Sequence, residues 1–117
     1  MTPDDVKAIV LSYPGAEEGT SYGAPSYKVN GKFFTRLRRE DQSLVLTSVS
    51  FDEREMLMEA EPATFHITPH YKDYPAILAR IETLHPGSLA NFLDRKFRQT
   101  AKAAVVKAWD AARTRTD

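Results

Sequence analysis

Apolar residues at helical spacing predict four helices along the chain. The first has its N-cap at Thr2, with Pro3 at the first helical position, and it ends before Pro14. A second helix is predicted from an N-cap at Asp52, as part of a capping box, to about Ala60. Two further helices near the C-terminus carry the apolar stripes Leu89, Phe92, Leu93 and Phe97, and Ala101, Ala104, Val105, Ala108, Trp109 and Ala112.

Runs of β-forming residues between turn signals predict the strands. Asn30-Gly31 is the strongest hairpin signal, because a type I′ turn needs a positive φ at both central residues. The five predicted strands are 26–29, 32–38, 44–49, 64–68 and 76–82. The order helix, three strands, helix, two strands, helix, helix indicates an α+β class. We expect one domain over residues 1–117, with an antiparallel sheet of about five strands packed in two layers against the helices.

Composition and charge narrow the classes of protein. The 117 residues contain 16 Lys and Arg against 16 Asp and Glu, which argues against a strongly basic protein that wraps DNA nonspecifically. Cysteine is absent, so disulfides, Cys-ligated zinc and thiol catalysis are excluded. Apolar runs are far shorter than the ~20 residues that span a bilayer, and the acidic N-terminus lacks a signal-peptide pattern. We therefore expect a cytoplasmic protein with no membrane partner.

Short motifs in one order extend over nearly the whole chain. They are 13–18 (YPGAEE), 21–25 (SYGAP), 29–34 (VNGKFF), 52–55 (DERE), 68–71 (TPHY) and 74–75 (YP), with Leu89 and Trp109 near the C-terminus. This series resembles the MmcQ/YjbR-like family of small bacterial proteins. The resemblance implies a secretion-chaperone-like α+β fold and a DNA-binding role, with no agreed catalytic activity.

A basic, acid-free segment supports a first hypothesis, nucleic-acid binding. No acid occurs between Gly19 and Arg39, and the candidate phosphate-binding residues are Lys28, Lys32, Arg36, Arg38 and Arg39. Four aromatic residues are candidate stacking surfaces for bases: Tyr22, Phe33, Tyr71 and Tyr74. The alternative interpretation is that the basic hairpin pairs with the acidic segment 40–61, as an ordinary solvated surface.

The hairpin also supports a second hypothesis, a protein- or peptide-binding or homodimerising module. If Tyr27, Val29 and Phe34 face the helices, strict alternation places Phe33 and Leu37 on the opposite face of the sheet. An exposed apolar patch with a basic rim is typical of a partner surface. A β-bulge that exchanges the two faces after Phe34 is an equally good explanation.

The loop 69–75 is the candidate for a third hypothesis, a small-ligand site. It combines an imidazole, phenols and a carboxylate at His70, Tyr71, Asp73 and Tyr74, and His70 with Asp73 could form an oriented base. A rigid loop packed on its own prolines and tyrosines is the alternative. The chain has no recognisable catalytic motif, phosphate loop or metal-ligand set, so we expect no enzyme, cofactor or metal. A combined nucleic-acid site requires this loop and the basic hairpin to share one surface.

Overall fold

One six-stranded antiparallel sheet organises the structure, a computed structural model that describes residues 1–114. The strands are β1 (Ala16–Ser21), β2 (Ala24–Val29), β3 (Lys32–Arg38), β4 (Ser43–Thr47), β5 (Phe65–His66) and β6 (Ala76–Arg80). They lie in the order β1-β2-β3-β4-β6-β5. The helices are α1 (Pro3–Leu11), α2 (Phe51–Ala60), α3 (Pro86–Thr100) and α4 (Ala103–Thr114). The α+β class and the helix positions are confirmed, and the sheet has one strand more than expected.

Side-chain caps explain where the first two helices begin. Thr2 caps α1 as predicted, because its hydroxyl accepts from the Asp5 amide and the Asp5 carboxylate accepts from the Thr2 amide. The predicted N-cap of α2 at Asp52 is wrong by two residues. Ser50 has the extended backbone of an N-cap, and its Oγ accepts from the amide of Glu53 at 3.1 Å.

The edges of the sheet differ most from the sequence prediction. β1 was not predicted, because its exposed, acid-rich sequence AEEGTS lacks the apolar alternation of a half-buried strand. Along its whole length it pairs with β2 alone, from Ala16 opposite Val29 to Ser21 opposite Ala24. The predicted strand 64–68 shortens to β5, and a 3₁₀ helix, Pro69–Tyr71, begins three residues after β5 ends.

The main core lies on one face of the sheet, and all four helices contribute to it. Tyr13, two residues beyond the end of α1, is central to this core. Its ring centroid lies 5.4 Å from that of Phe34, 5.3 Å from Phe97 and 4.9 Å from Trp109. Its hydroxyl donates to Asp94 Oδ1 at 2.7 Å, which ties α1 to α3. In the described part of the chain, no helix is long and apolar enough to cross a membrane.

A β-bulge in the central hairpin decides which side chains of β3 face the main core. Lys28 pairs with Phe33 but Tyr27 pairs with Thr35, so Phe34 is an extra residue in β3. Beyond it the two faces are exchanged. Leu37 is only 5% exposed and lies in the main core, so its predicted place on the opposite face is wrong. The bulge alternative is the correct one, whereas Phe33 does lie on the opposite face.

Candidate functional site

The sheet face opposite the main core, the outer face, is partly covered by the loop 69–75. Tyr71 from this loop packs on the outer face with Val45, Ala76 and Leu78, and Phe33 adjoins them. A depression of about 310 Å³, the outer-face cleft, opens beside Tyr71. Its lining comprises Tyr22, Phe33, Arg36, Val45, Thr47, His70, Tyr71, Tyr74 and Ala76. The basic hairpin and the tyrosine-rich loop thus share one surface, and all four predicted stacking aromatics line the same cleft.

Arg36 is the cation of the outer-face cleft. The bulge directs its side chain to the outer face, where Nη2 donates to the hydroxyl of Tyr71 at 2.7 Å. Its guanidinium carbon lies 5.2 Å from the ring centroid of Tyr22. No acidic side chain in residues 1–114 comes within 4.0 Å of Arg36 to form an ion pair. The cleft therefore contains a positive charge between two tyrosine side chains. No acid in residues 1–114 neutralises that charge.

The two exposed tyrosines stand on turns at the margin of the cleft. Tyr22 lies in the β1–β2 turn with φ +52°, and it is 83% exposed. Tyr74 is 58% exposed, and its ring centroid lies 6.2 Å from that of His70. Large aromatic rings with such exposure contribute little to packing, so both are available to a ligand.

A buried arginine holds the loop 69–75 in place. Arg54 of α2 is 5% exposed, and its guanidinium donates to the carbonyl oxygens of Tyr71 at 3.0 Å, Tyr74 at 2.9 Å and Lys72 at 2.9 Å. Its guanidinium carbon also lies 4.8 Å from the ring centroid of Phe51. Sequence analysis missed this role, because one basic residue in an acidic helix has the pattern of a solvated surface. The interpretation of the loop as a rigid connection is therefore compatible with its lining of the cleft.

The other predicted cations separate into two groups. Lys28 is exposed beside Phe33 on the outer face, and Arg39 is exposed beside Gly23, next to Tyr22. Neither forms an ion pair with any residue of the described chain.

The remaining two predicted cations, Lys32 and Arg38, are placed differently. Lys32 is paired with Val29, whose side chain is in the main core, so Lys32 points away from the outer face. Arg38 is on the outer face, but its Nε lies 3.1 Å from Glu40 and its Nη1 lies 3.5 Å from Asp41. The alternative interpretation, in which the basic hairpin pairs with the acidic segment 40–61, thus holds for Arg38. It does not hold for Lys28, Arg36 or Arg39.

The histidines of this region lie in separate environments and do not form the oriented base considered for His70 with Asp73. His66 Nε2 donates to Asp41 Oδ2 at 2.9 Å. Burial alone would raise the pKa of Asp41, but the hydrogen bond from His66 and the charge of Arg38 lower that pKa below its usual value. His70 packs edge-on against Tyr71, and within residues 1–114 no hydrogen bond joins it to Asp73. No cluster of three or more potential metal ligands occurs in that same part of the chain.

A further cation, Lys96 of α3, approaches Phe33 from the helix layer. Its Nζ lies 6.0 Å from the ring centroid of Phe33, and burial lowers the pKa of its ammonium group. Its sequence neighbours suggest a solvated helix face, so nothing in the pattern indicated this contact.

The fold and the cleft define a small α+β protein with a basic, aromatic surface on the sheet face opposite its main core. A family model described as YjbR matches residues 11–110, and the chain belongs to the YjbR family. No curated protein and no solved structure matches the chain.

Proposed function

We propose that this YjbR-family protein binds nucleic acid across its outer face. The observation that carries the proposal is Arg36, a cation without an acidic partner in the described chain, placed between Tyr22 and Tyr71 in an open cleft. Guanidinium groups bind phosphate through a planar fork of donors, and neighbouring aromatic rings provide stacking surfaces for bases.

Lys28, Arg36 and Arg39 are the phosphate-binding residues in this proposal. They replace the five cations expected from the sequence, since Lys32 points to the other side and Arg38 is paired with acids. Three phosphate contacts predict an affinity loss of about 20- to 40-fold between 50 and 200 mM salt. Because the formal net charge of the chain is zero, long-range attraction contributes little, and binding is expected to be weak and local.

The cleft also supports a second candidate, a free small anion, because His70, Tyr71 and Tyr74 of the predicted ligand loop line its cavity of about 310 Å³. This volume is at the lower end of the range of about 300–1,000 Å³ typical of ligand pockets. The proposed partner surface of Phe33 and Leu37 is weakened instead, since Leu37 lies in the main core.

A matched pair of lysines in one hairpin tests the nucleic-acid proposal. Lys28 and Lys32 are both exposed and lie four residues apart, but they project to opposite faces of the sheet. In fluorescence anisotropy with a labelled 20-nucleotide DNA at 50 mM salt, Lys28→Ala and Arg36→Ala should weaken binding, whereas Lys32→Ala should leave it unchanged. Absence of binding at tens of micromolar protein, or equal losses for the two lysine variants, would contradict the proposal.

A further inference from the structure

Resting on the proposed function, we infer that the outer-face cleft takes an unpaired nucleotide of a single strand and discriminates against duplex. The cleft places a phosphate-binding cation and two accessible aromatic rings around one cavity, and an unpaired nucleotide presents both a phosphate and a free base. The two halves of the site therefore match the two halves of a nucleotide.

Arg36 retains the donors that a phosphate requires. An arginine side chain has five N–H donors, and Arg36 uses one side-chain hydrogen bond, to Tyr71, among the residues that the structure describes. This bond fixes the guanidinium at the margin of the cleft without consuming its charge, because the phenol hydroxyl is neutral. Lys28, beside Phe33 on the same face, is suited to the adjacent phosphate of an extended strand.

Tyr22 and Tyr74 are suited to a base that has left its stack. Both side chains are more than half exposed at the margin of the cavity. Its volume of about 310 Å³ is large enough for one nucleoside-sized group. Within a duplex, both faces of every internal base are covered by its neighbours, so away from the duplex ends the rings gain a stacking partner only from unpaired bases.

The hairpin itself is poorly suited to entering a duplex groove. Asn30 at its tip donates through Nδ2 to the carbonyl oxygen of Thr100 at 3.2 Å, which holds the tip against the end of α3. The adjacent cation, Lys32, points away from the outer face. A duplex on the outer face would thus contact the cations of that face and not the tip of the hairpin.

Three labelled 12-nucleotide ligands test the inference by fluorescence anisotropy: a mixed-sequence single strand, its blunt duplex, and an abasic strand of equal length. The single strand should bind at least about fivefold more tightly than the duplex, since loss of a stacked base costs about 5- to 150-fold in affinity. The abasic strand should show a loss in that same range. Tyr22→Ala and Tyr74→Ala should weaken single-strand binding but not duplex binding. Met56→Ala, which removes an apolar side chain that is 69% exposed on α2, is the control and should change neither.

The possible failures are distinguishable. Equal affinities for strand and duplex, or for normal and abasic strands, would overturn this inference and leave nucleic-acid binding intact. Displacement of the strand by free mononucleotide at equal concentration would also overturn it, because a free nucleotide would then be the occupant. If no ligand binds to protein that circular dichroism shows to be folded, the inference and the proposed function both fail.

Discussion

Replacement of Arg54 by Met tests whether one buried guanidinium holds the loop that lines the cleft. The guanidinium donates to the carbonyl oxygens of Tyr71, Lys72, Tyr74 and Ala76, at 2.9–3.4 Å. Methionine occupies a similar apolar length but donates none of these bonds. The substitution therefore removes the donors while leaving most of the packing volume filled.

The expected loss of stability follows from the burial of the four acceptors. A hydrogen bond from a charged donor contributes about 1.5–3 kcal/mol, and water does not replace it at a buried acceptor. The carbonyls of Tyr71 and Ala76 are in buried surroundings, where the Tyr71 oxygen keeps only the amide of Tyr74 as a donor and the bond from Arg54 to Ala76 is long at 3.4 Å, whereas water can replace the donor at Lys72 and Tyr74. The avoided cost of burying a charge offsets part of this loss. We expect about 2–4 kcal/mol, a large part of the ~5–15 kcal/mol that stabilises a typical domain.

Thermal unfolding and amide exchange measure the effect. At about 4 °C per kcal/mol, Tm should fall by about 8–16 °C in the Arg54→Met protein. The amides of Tyr71 and Tyr74, which donate to carbonyls within the loop region, should exchange faster. Arg54→Lys should be intermediate, and Glu55→Gln, at the next and exposed position, should change stability by less than about 0.5 kcal/mol. A fall in Tm below about 2 °C with unchanged loop exchange would refute this account of the loop.

Three further predictions concern the main core and its helix ends, each measured by urea unfolding. Tyr13→Phe should cost about 1–2 kcal/mol at neutral pH, because it removes the bond to Asp94. Burial, and then the hydrogen bond to Asp94, raise the pKa of Tyr13 above its usual value of 10.0. The native protein should therefore lose stability as pH rises above 10, and the Phe variant should lose less. An equal loss of unfolding free energy above pH 10 in the two proteins would contradict this. Thr2→Ala should cost about 1 kcal/mol through loss of the α1 cap, with Thr2→Ser, which keeps a capping hydroxyl, as the control. Trp109→Ala should cost about 2–3 kcal/mol, less than the same substitution at a fully buried tryptophan, because Trp109 is only partly buried. A loss under about 1 kcal/mol would show that the packing of α4 contributes little to stability.

Local chemistry made most of the fold predictable. The capping pair at Thr2 and Asp5, the Asn30-Gly31 turn and the apolar stripe of α3 each determine structure within a few residues of themselves. β1 has no such local signal, because a solvent-exposed edge strand gains its structure from pairing with β2 rather than from its own pattern. The position of the α2 cap was missed for a different reason: Ser50 and Asp52 are both good capping residues, each with a Glu three residues later, so the local pattern does not choose between them.

The site was predictable in its composition and not in its arrangement. Aromatic and basic residues suited to nucleic acid are visible in the sequence, but Lys28 and Lys32 cannot be assigned to faces without the position of the bulge. Arg54 reaches the loop, and Lys96 approaches Phe33, from helices distant in sequence. Such contacts depend on how the elements pack, and no short-range pattern encodes them.

The extra residue at Phe34 has an evolutionary consequence. Because strand faces alternate with a period of two, a strand without the bulge would direct Arg36 and Arg38 into the main core and Leu37 to the outer face. Gain or loss of one residue at this point therefore exchanges the side chains of the outer face with those of the main core in a single event, which no point substitution achieves. We expect homologues that lack the extra residue to have apolar side chains where this chain has its two arginines, and divergence of ligand preference within such a lineage to follow insertions and deletions in β3.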